Sequence, residues 1–298
     1  MGGPITRNSF LIRVSLDFFC LLIVFIPVPL FKFVATPYHR GFFCDDESLQ
    51  HPYKTGTIHT AVVWTIGFGL TIFSIMVCEA LLYQTKRKRN IPCKRYMVGG
   101  KVIHSYLWIN YKFIGAFLFG AAVSQTTTDI AKYMVGRLRP HWFDVCKPDF
   151  TKLECIKDGI MQYIDADVCT GEDHELIREA RLSFMSGHAS LAFYCMLYFA
   201  LYLQARMTWS GSRLLKYTLQ VCALFLAYGT ALSRISDYKH HWSDVLAGSI
   251  QGICVAIIAV FVFSDLFKKT AVRSISTETT ELVRASDVNS VSDSFEAF

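Results

Sequence analysis

Six long apolar runs, separated by short polar segments, dominate the chain. They cover about Phe10–Val34, Thr60–Tyr83, Tyr106–Tyr133, Ser186–Ala205, Leu215–Leu232 and Val245–Phe267. Each is near the ~20 residues a helix needs to cross a hydrocarbon core. The runs are continuous rather than alternating, which points to helices and not to barrel strands. The pattern therefore predicts an all-α polytopic membrane protein with six transmembrane helices. Residues 1–269 form this domain. Beyond Lys269 the chain is rich in Ser, Thr, Glu and Asp and loses its apolar periodicity, so 270–298 reads as a disordered tail.

Loop charge sets the orientation. From Gln84 to His104 there are Lys86, Arg87, Lys88, Arg89, Lys94, Arg95 and Lys101, and no acid. Arg206, Arg213 and Lys216 lie between the fourth and fifth runs, and Lys268, Lys269 and Arg273 follow the sixth. The positive-inside rule makes these segments cytosolic, and with them both termini and the tail. The loops at about 35–59, 134–185 and 233–244 then face the lumen or the exterior.

Composition narrows the picture. The chain of 298 residues is 52% hydrophobic, with a mean hydropathy of +0.33. Its net charge of +6 sits beside the apolar runs, where it orients spans, so no nucleic-acid partner is expected. Ten cysteines show no CxxC pair or metal-ligand spacing. Cys44, Cys146, Cys155 and Cys169 fall in the non-cytosolic loops, where disulfides are permitted with connectivity left open. Cys20, Cys78, Cys195, Cys222 and Cys254 lie in the runs and read as small apolar packers. Asp17, Glu79 and Asp129 also lie in runs, which admits a transporter, but helix-packing pairs explain them equally well. No internal repeat supports transport.

Three segments on the non-cytosolic side concentrate chemistry: 132–140, 183–188 and 233–244. Lys132, Arg139 and Arg234 are cations whose donors suit phosphate oxygens. Ser186-Gly187 opens a helix whose N-terminal amides attract anions, and Gly allows close approach. His188 and His240 can each move a proton near neutral pH or attack as nucleophiles. Asp244 follows His240 by four residues, a spacing that on a helix lets the carboxylate orient the imidazole. His241 is three residues from Asp244 and could meet it too, and Arg137 is an alternative to Arg139. Together these residue types suit phosphoryl transfer without a metal or other cofactor. Lys132 and Arg139 are about 10 Å apart along a continuous helix, too far to share one phosphate readily. Gly136 and Pro140 predict that the helix ends between them.

Lys132-x6-Arg139-Pro140, Ser186-Gly187-His188 and Ser233-Arg234-x5-His240-x3-Asp244 together resemble the three-part signature of the type 2 phosphatidic acid phosphatases. The surrounding segments 37–44, 201–206 and 236–244 are similar to the animal lipid phosphate phosphatases. The resemblance spans about residues 8–268 and departs from the common form at Met185, where Pro is usual. It implies that His240, rather than His241, attacks phosphorus and forms a phosphohistidine, with Asp244 orienting it. His188 would act as general acid and then base. Lys132, Arg139 (rather than Arg137), Ser186, Gly187 and Arg234 would hold the phosphate. The implied substrates are phosphatidate, lysophosphatidate, sphingosine 1-phosphate and ceramide 1-phosphate. The implied location is the plasma membrane with an extracellular site, or alternatively a lumenal site in endoplasmic reticulum or Golgi. A homo-oligomer is compatible with all of this.

Overall fold

The computed structural model describes residues 7–89, 96–98, 101–207, 211–212 and 214–267. The tail after Lys269 and the basic residues Lys94, Arg95, Arg213, Lys268 and Lys269 lie outside these. By contacts the chain divides at Ser264, into Met1–Ser264 and Asp265–Phe298.

The described chain is mostly helical. The first run splits into α1 (Arg7–Phe25) and α2 (Pro27–Phe33), because Pro27 and Pro29 cannot donate backbone hydrogen bonds. Ile26 between them keeps helical angles, so the two continue end to end. Then follow α3 (Thr60–Lys88), α4 (Ser105–Val135), the short α5 (Trp142–Cys146) and α6 (His174–Glu179), α7 (Gly187–Arg206), α8 (Leu215–Ser236) and α9 (Trp242–Ile258). A π-helical turn, Ala259–Phe263, extends α9. Three two-stranded antiparallel ladders decorate the loops: Phe42–Phe43 with Tyr163–Ile164, Tyr96–Val98 with Lys101–Ile103, and Ile156–Lys157 with Ile160–Met161.

By length and composition, five segments among the described residues are apolar enough to cross a membrane: Phe10–Phe33, Thr60–Lys88, Ser105–Val135, Leu215–Ser236 and Trp242–Phe263. The fourth predicted span, now α7, is not among them. The reason lies in its packing. α7 runs through the middle of the bundle against α3, α4, α8 and α9, and its inward face carries polar groups that protein rather than lipid must satisfy. Tyr194, Tyr198 and Tyr202 recur every fourth residue, on one helical face, and are fully buried. Their hydroxyls donate to the Phe117 carbonyl (2.6 Å), the Phe113 carbonyl (3.1 Å) and the Glu79 carboxylate (2.9 Å). Ser190 on the same helix bonds Ser124 (2.9 Å) and Gln251.

Small residues bring the backbones together. A side chain at Gly252 would run into the Ser190 carbonyl, and one at Gly248 would lie 2.5 Å from the Ser186 carbonyl oxygen. α9 is thereby pressed on α7 where α7 begins.

Of the run carboxylates named above, Glu79 and Asp17 are paired between helices, whereas Asp129 finds its partner on its own helix, α4. Glu79 accepts from Arg206 Nε (2.6 Å) and Nη2 (2.7 Å), Asp17 from Tyr111 (2.7 Å), and Asp129 from Gln125 (3.0 and 3.1 Å). Two disulfides, Cys44–Cys155 and Cys146–Cys169, staple the loops at the end of the bundle where α3 and α7 start. They flank a small core of Phe42, Leu49, Leu138, Trp142, Val145 and Ala180. The first bridge closes a separation of 111 residues and removes loop entropy from the unfolded chain. Of the run cysteines, Cys78 and Cys195 are buried, whereas Cys20, Cys222 and Cys254 are exposed on the bundle surface.

The contact of α9 with α7 makes a contrast testable. Gly252→Val should destabilise the protein by about 1–3 kcal/mol through overpacking, whereas Gly229→Ala, with open space around it, should leave thermal unfolding in detergent nearly unchanged.

Candidate active site

α3 and α7 start, and α4 and α8 end, at the same end of the bundle, and the three motif segments meet there. α4 stops at Val135. Gly136 takes a left-handed conformation (φ 56°, ψ 31°), and its N–H donates to the Lys132 carbonyl at 3.0 Å. Any side chain at 136 would collide with the Tyr38 carbonyl, so the turn requires glycine. Arg139 thus leaves the helix axis, as the spacing of Lys132 and Arg139 demands if both are to face one cavity.

Main-chain bonds hold the segments in register. The Arg139 N–H donates to the Ala180 carbonyl (2.8 Å), and Ser183 N–H to the Arg137 carbonyl (2.9 Å). Ser186 N–H donates to the Asp244 carbonyl (3.0 Å). Lys239 and His240 N–H groups both reach the Arg234 carbonyl, at 3.0 and 3.3 Å. Ser186 is the N-cap of α7, so the first amides of that helix, beside Gly187, open toward the cavity.

A cavity of about 430 Å³ is lined by Lys132, Arg139, Gly187, His188, Arg234 and His240 together. Ser186 and Asp244 are fully buried behind this wall. A second hollow of about 560 Å³ in the loops is lined by Cys44, Gln50, Pro52, Phe143, Asp144 and Phe150, with no histidine and no cation. Among the described residues, no group of three His, Cys, Asp or Glu side chains is placed to hold a metal ion.

Each motif cation has an acidic neighbour. Arg139 Nη1 lies 3.9 Å from Glu179, and Arg234 Nη2 lies 3.0 Å from Asp237. Asp129 acts electrostatically on Lys132, three residues away on α4. Asp237 is itself fixed by the Thr57 N–H (2.8 Å) and hydroxyl (2.6 Å). Gly187 sits directly against the Lys132 ammonium: a Cβ there would lie 3.3 Å from Nζ.

His240 Nδ1 bonds the Ser183 carbonyl at 2.7 Å. A carbonyl only accepts, so Nδ1 carries the proton and the Nε2 lone pair is free on the other edge of the ring. Burial, and then the charges of Arg139 and Lys132, push the His240 imidazole well below its ordinary value and keep it neutral. His188 Nε2 lies 3.5 Å from the Thr60 hydroxyl.

The expected contact between Asp244 and His240 is corrected by this geometry. α9 begins at Trp242, so His240 precedes the helix and the rule that residues four apart share a face does not reach it. Asp244 instead folds back on its own helix start. It accepts from the His241 N–H (3.2 Å), meets His241 Nδ1 (3.2 Å), accepts from the Ser183 hydroxyl (2.5 Å) and pairs with Arg137 Nη1 (2.5 Å). The carboxylate therefore reaches His240 indirectly: it fixes Ser183, whose carbonyl holds the imidazole. Residue spacing left both Arg137 and His241 open as partners. Both turn out to serve Asp244, while Arg139 and His240 line the cavity.

Two further contributors had no signal in the motifs. Ser183 is one of them. The other is the segment Tyr53–Thr60, which lies over the third motif and supplies Tyr53, Gly56, Ile58, His59 and Thr60 to the cavity wall.

Residues 113–268 match the model of the PAP2 superfamily. Phospholipid phosphatase 1 of Rattus norvegicus is 46% identical over 258 residues, covering 86% of each chain. Phospholipid phosphatase 2 of Homo sapiens is 42% identical over 256 residues, covering 86% of this chain and 84% of the relative. Phospholipid phosphatase 2 of Bos taurus is 42% identical over 255 residues with the same coverage. No solved structure matches the chain.

Two outcomes follow from the geometry. Arg137→Leu, although outside the cavity, should leave Asp244 buried without its cation and lower kcat/KM at least about tenfold, with a loss of stability of about 3 kcal/mol. Because folded His240 stays neutral while the unfolded chain takes up a proton below pH ~6.5, thermal stability should fall as pH drops from 7 to 5, by at most about 1.4 kcal/mol per pH unit. His240→Gln should flatten that slope. From the motif residues 132–244, the family match and the relatives' coverage, the chain belongs to the PAP2 superfamily of phosphatases.

Proposed function

We propose that this chain is a phosphatidate phosphatase that removes phosphate from lipid phosphomonoesters through a histidine nucleophile. The observation that carries the reading is one cavity, at a helix-bundle end, lined by the two motif imidazoles and three motif cations. The names of its relatives support phospholipid substrates. Within that class the reading takes in lysophosphatidate, sphingosine 1-phosphate and ceramide 1-phosphate.

In this mechanism the His240 Nε2 lone pair forms a bond to phosphorus as the ester P–O bond breaks. His188, protonated beside the bound phosphate, gives its proton to the departing alkoxide. It then takes a proton from water, whose oxygen attacks phosphorus while the P–N bond breaks and His240 is restored. Asp244 keeps Ser183, and so His240, in place. Lys132, Arg139 and Arg234, with Ser186 and the Gly187 amide at the start of α7, hold the oxygens and stabilise the charge that builds on them. Fixed cations give the charge stabilisation that a divalent metal supplies in other phosphatases, and the reaction proceeds without Mg²⁺.

The reading includes six spans with α7 as the fourth, both termini cytosolic and the cavity on the opposite face. Lys86, Arg87 and Lys88 in the last turn of α3 and Arg206 in the last turn of α7 support it, because they lie at the end remote from the cavity. Twenty residues give α7 about 30 Å, enough to cross. The proposed location is the plasma membrane with an extracellular site, the lumen of endoplasmic reticulum or Golgi being the alternative.

Membranes carrying the protein should release phosphate from lysophosphatidate in EDTA, and His240→Ala should lower the rate by at least about 10⁴-fold. Equal rates for wild type and variant would contradict the nucleophile. Intact cells should hydrolyse an impermeant short-chain substrate. Hydrolysis that needs permeabilisation would move the site to a lumenal membrane.

A further inference from the structure

The cavity contains a fourth cation that none of the three motifs specifies. Lys239 lies in the spacer of the third motif, directly before His240, and lines the same wall as Lys132, Arg139 and Arg234. It differs from the two arginines in its surroundings. Each arginine is ion-paired, with Glu179 or Asp237. Among the described residues, Lys239 forms no ion pair. Its ammonium rests instead 3.9 Å from the centre of the Tyr53 ring. A cation–π contact of this kind is worth about 0.5–2 kcal/mol, less than a charge-assisted bond to phosphate, so the ring is a place from which the ammonium can depart. A half-buried cation beside Arg139 and Arg234, with Glu179 and Asp237 acting on it only from beyond ion-pair distance, is better placed once a dianion enters the cavity.

We propose that Lys239 is a fourth phosphate-holding residue, which leaves the face of Tyr53 to take a phosphate oxygen beside the bond formed by His240. Its backbone supports this role: the N–H groups of Lys239 and His240 share the Arg234 carbonyl, so nucleophile, Arg234 and Lys239 move as one unit. Tyr53 is anchored independently, its N–H donating to Asp144 at 2.7 Å. The charged groups facing Lys239 are Arg139, Glu179, Arg234 and Asp237, from three segments of the chain. Burial first, and then Arg139, pull the Lys239 ammonium down to about 8. In the free protein it therefore loses its charge as pH rises through that value, and the pull on phosphate weakens with it.

This inference rests on the phosphatase reading, and its test separates the two. Steady-state kinetics on a short-chain phosphatidate, together with inhibition by inorganic phosphate, would be compared for wild type, Lys239→Met, Lys239→Arg and Tyr53→Leu. Lys239→Met should raise KM and the phosphate Ki by about ten- to hundredfold, the loss of one charge-assisted bond. Lys239→Arg should restore most of both at pH 7. Above pH 8 the wild-type Ki should weaken further, while that of Lys239→Arg stays flat. Tyr53→Leu should change the Ki much less than Lys239→Met does, because it frees the ammonium rather than removing it. A wild-type Ki in Lys239→Met would overturn the proposal. So would a Tyr53→Leu variant that matches Lys239→Met and an Arg variant that fails to rescue, since Lys239 would then serve only to fix the loop. A wild-type protein inactive on every lipid phosphate would instead sink the reading on which this one rests.

Discussion

Mutual repulsion among cations is the constraint around which this end of the molecule is built. Two unit charges about 4 Å apart at a protein surface repel by roughly 4 kcal/mol, and here Lys132, Arg139, Arg234 and Lys239 share one cavity wall. The fold meets that cost locally. Glu179, Asp237 and Asp129 each offset one motif cation, and Asp237 is in turn fixed by Thr57. The same field keeps the buried His240 neutral. A site whose clustered motif cations are each offset by a nearby acid is poised for an anion.

Such a cluster needs a rigid frame, and the frame is mostly main chain. Arg137 and Arg139 are hydrogen-bonded through their backbones to Ser183 and Ala180, and Ser186 to Asp244, so the three motifs are stitched together before any side chain is considered. Below them, Gly248 and Gly252 let α9 touch the backbone of α7, and three tyrosines tie α7 to its neighbours. The bundle therefore fixes the height of Gly187 and His188 relative to His240. Two disulfides hold the loops that carry Tyr53 and Arg139. Rigid elements position the chemistry, and loops complete its walls.

Much of this was legible in the sequence. Apolar runs long enough to span a bilayer marked the helices, and Gly136 before Pro140 marked the end of α4, because only a turn there brings Arg139 back toward Lys132. α7 was harder: as the central helix it spends apolar positions on tyrosines, so composition alone does not class it with the five spans. The Asp244 contact was misread because the helix starts two residues later than spacing suggested, and a helical periodicity says nothing about residues outside the helix. Arg137, Ser183 and Thr57 act through contacts with residues 107, 61 and 180 positions away, which no local pattern encodes.

The central claim is that phosphate passes through His240. Rapid acid-free quenching of the protein with short-chain phosphatidate labelled in its phosphate, followed by peptide mapping under alkaline conditions, tests it directly. The account predicts a base-stable, acid-labile phosphoryl group on the peptide that contains His240, absent from His240→Ala and accumulating when His188 is replaced by Ala. A phosphoryl group on His241 or on His188, or turnover with no labelled protein, would contradict it.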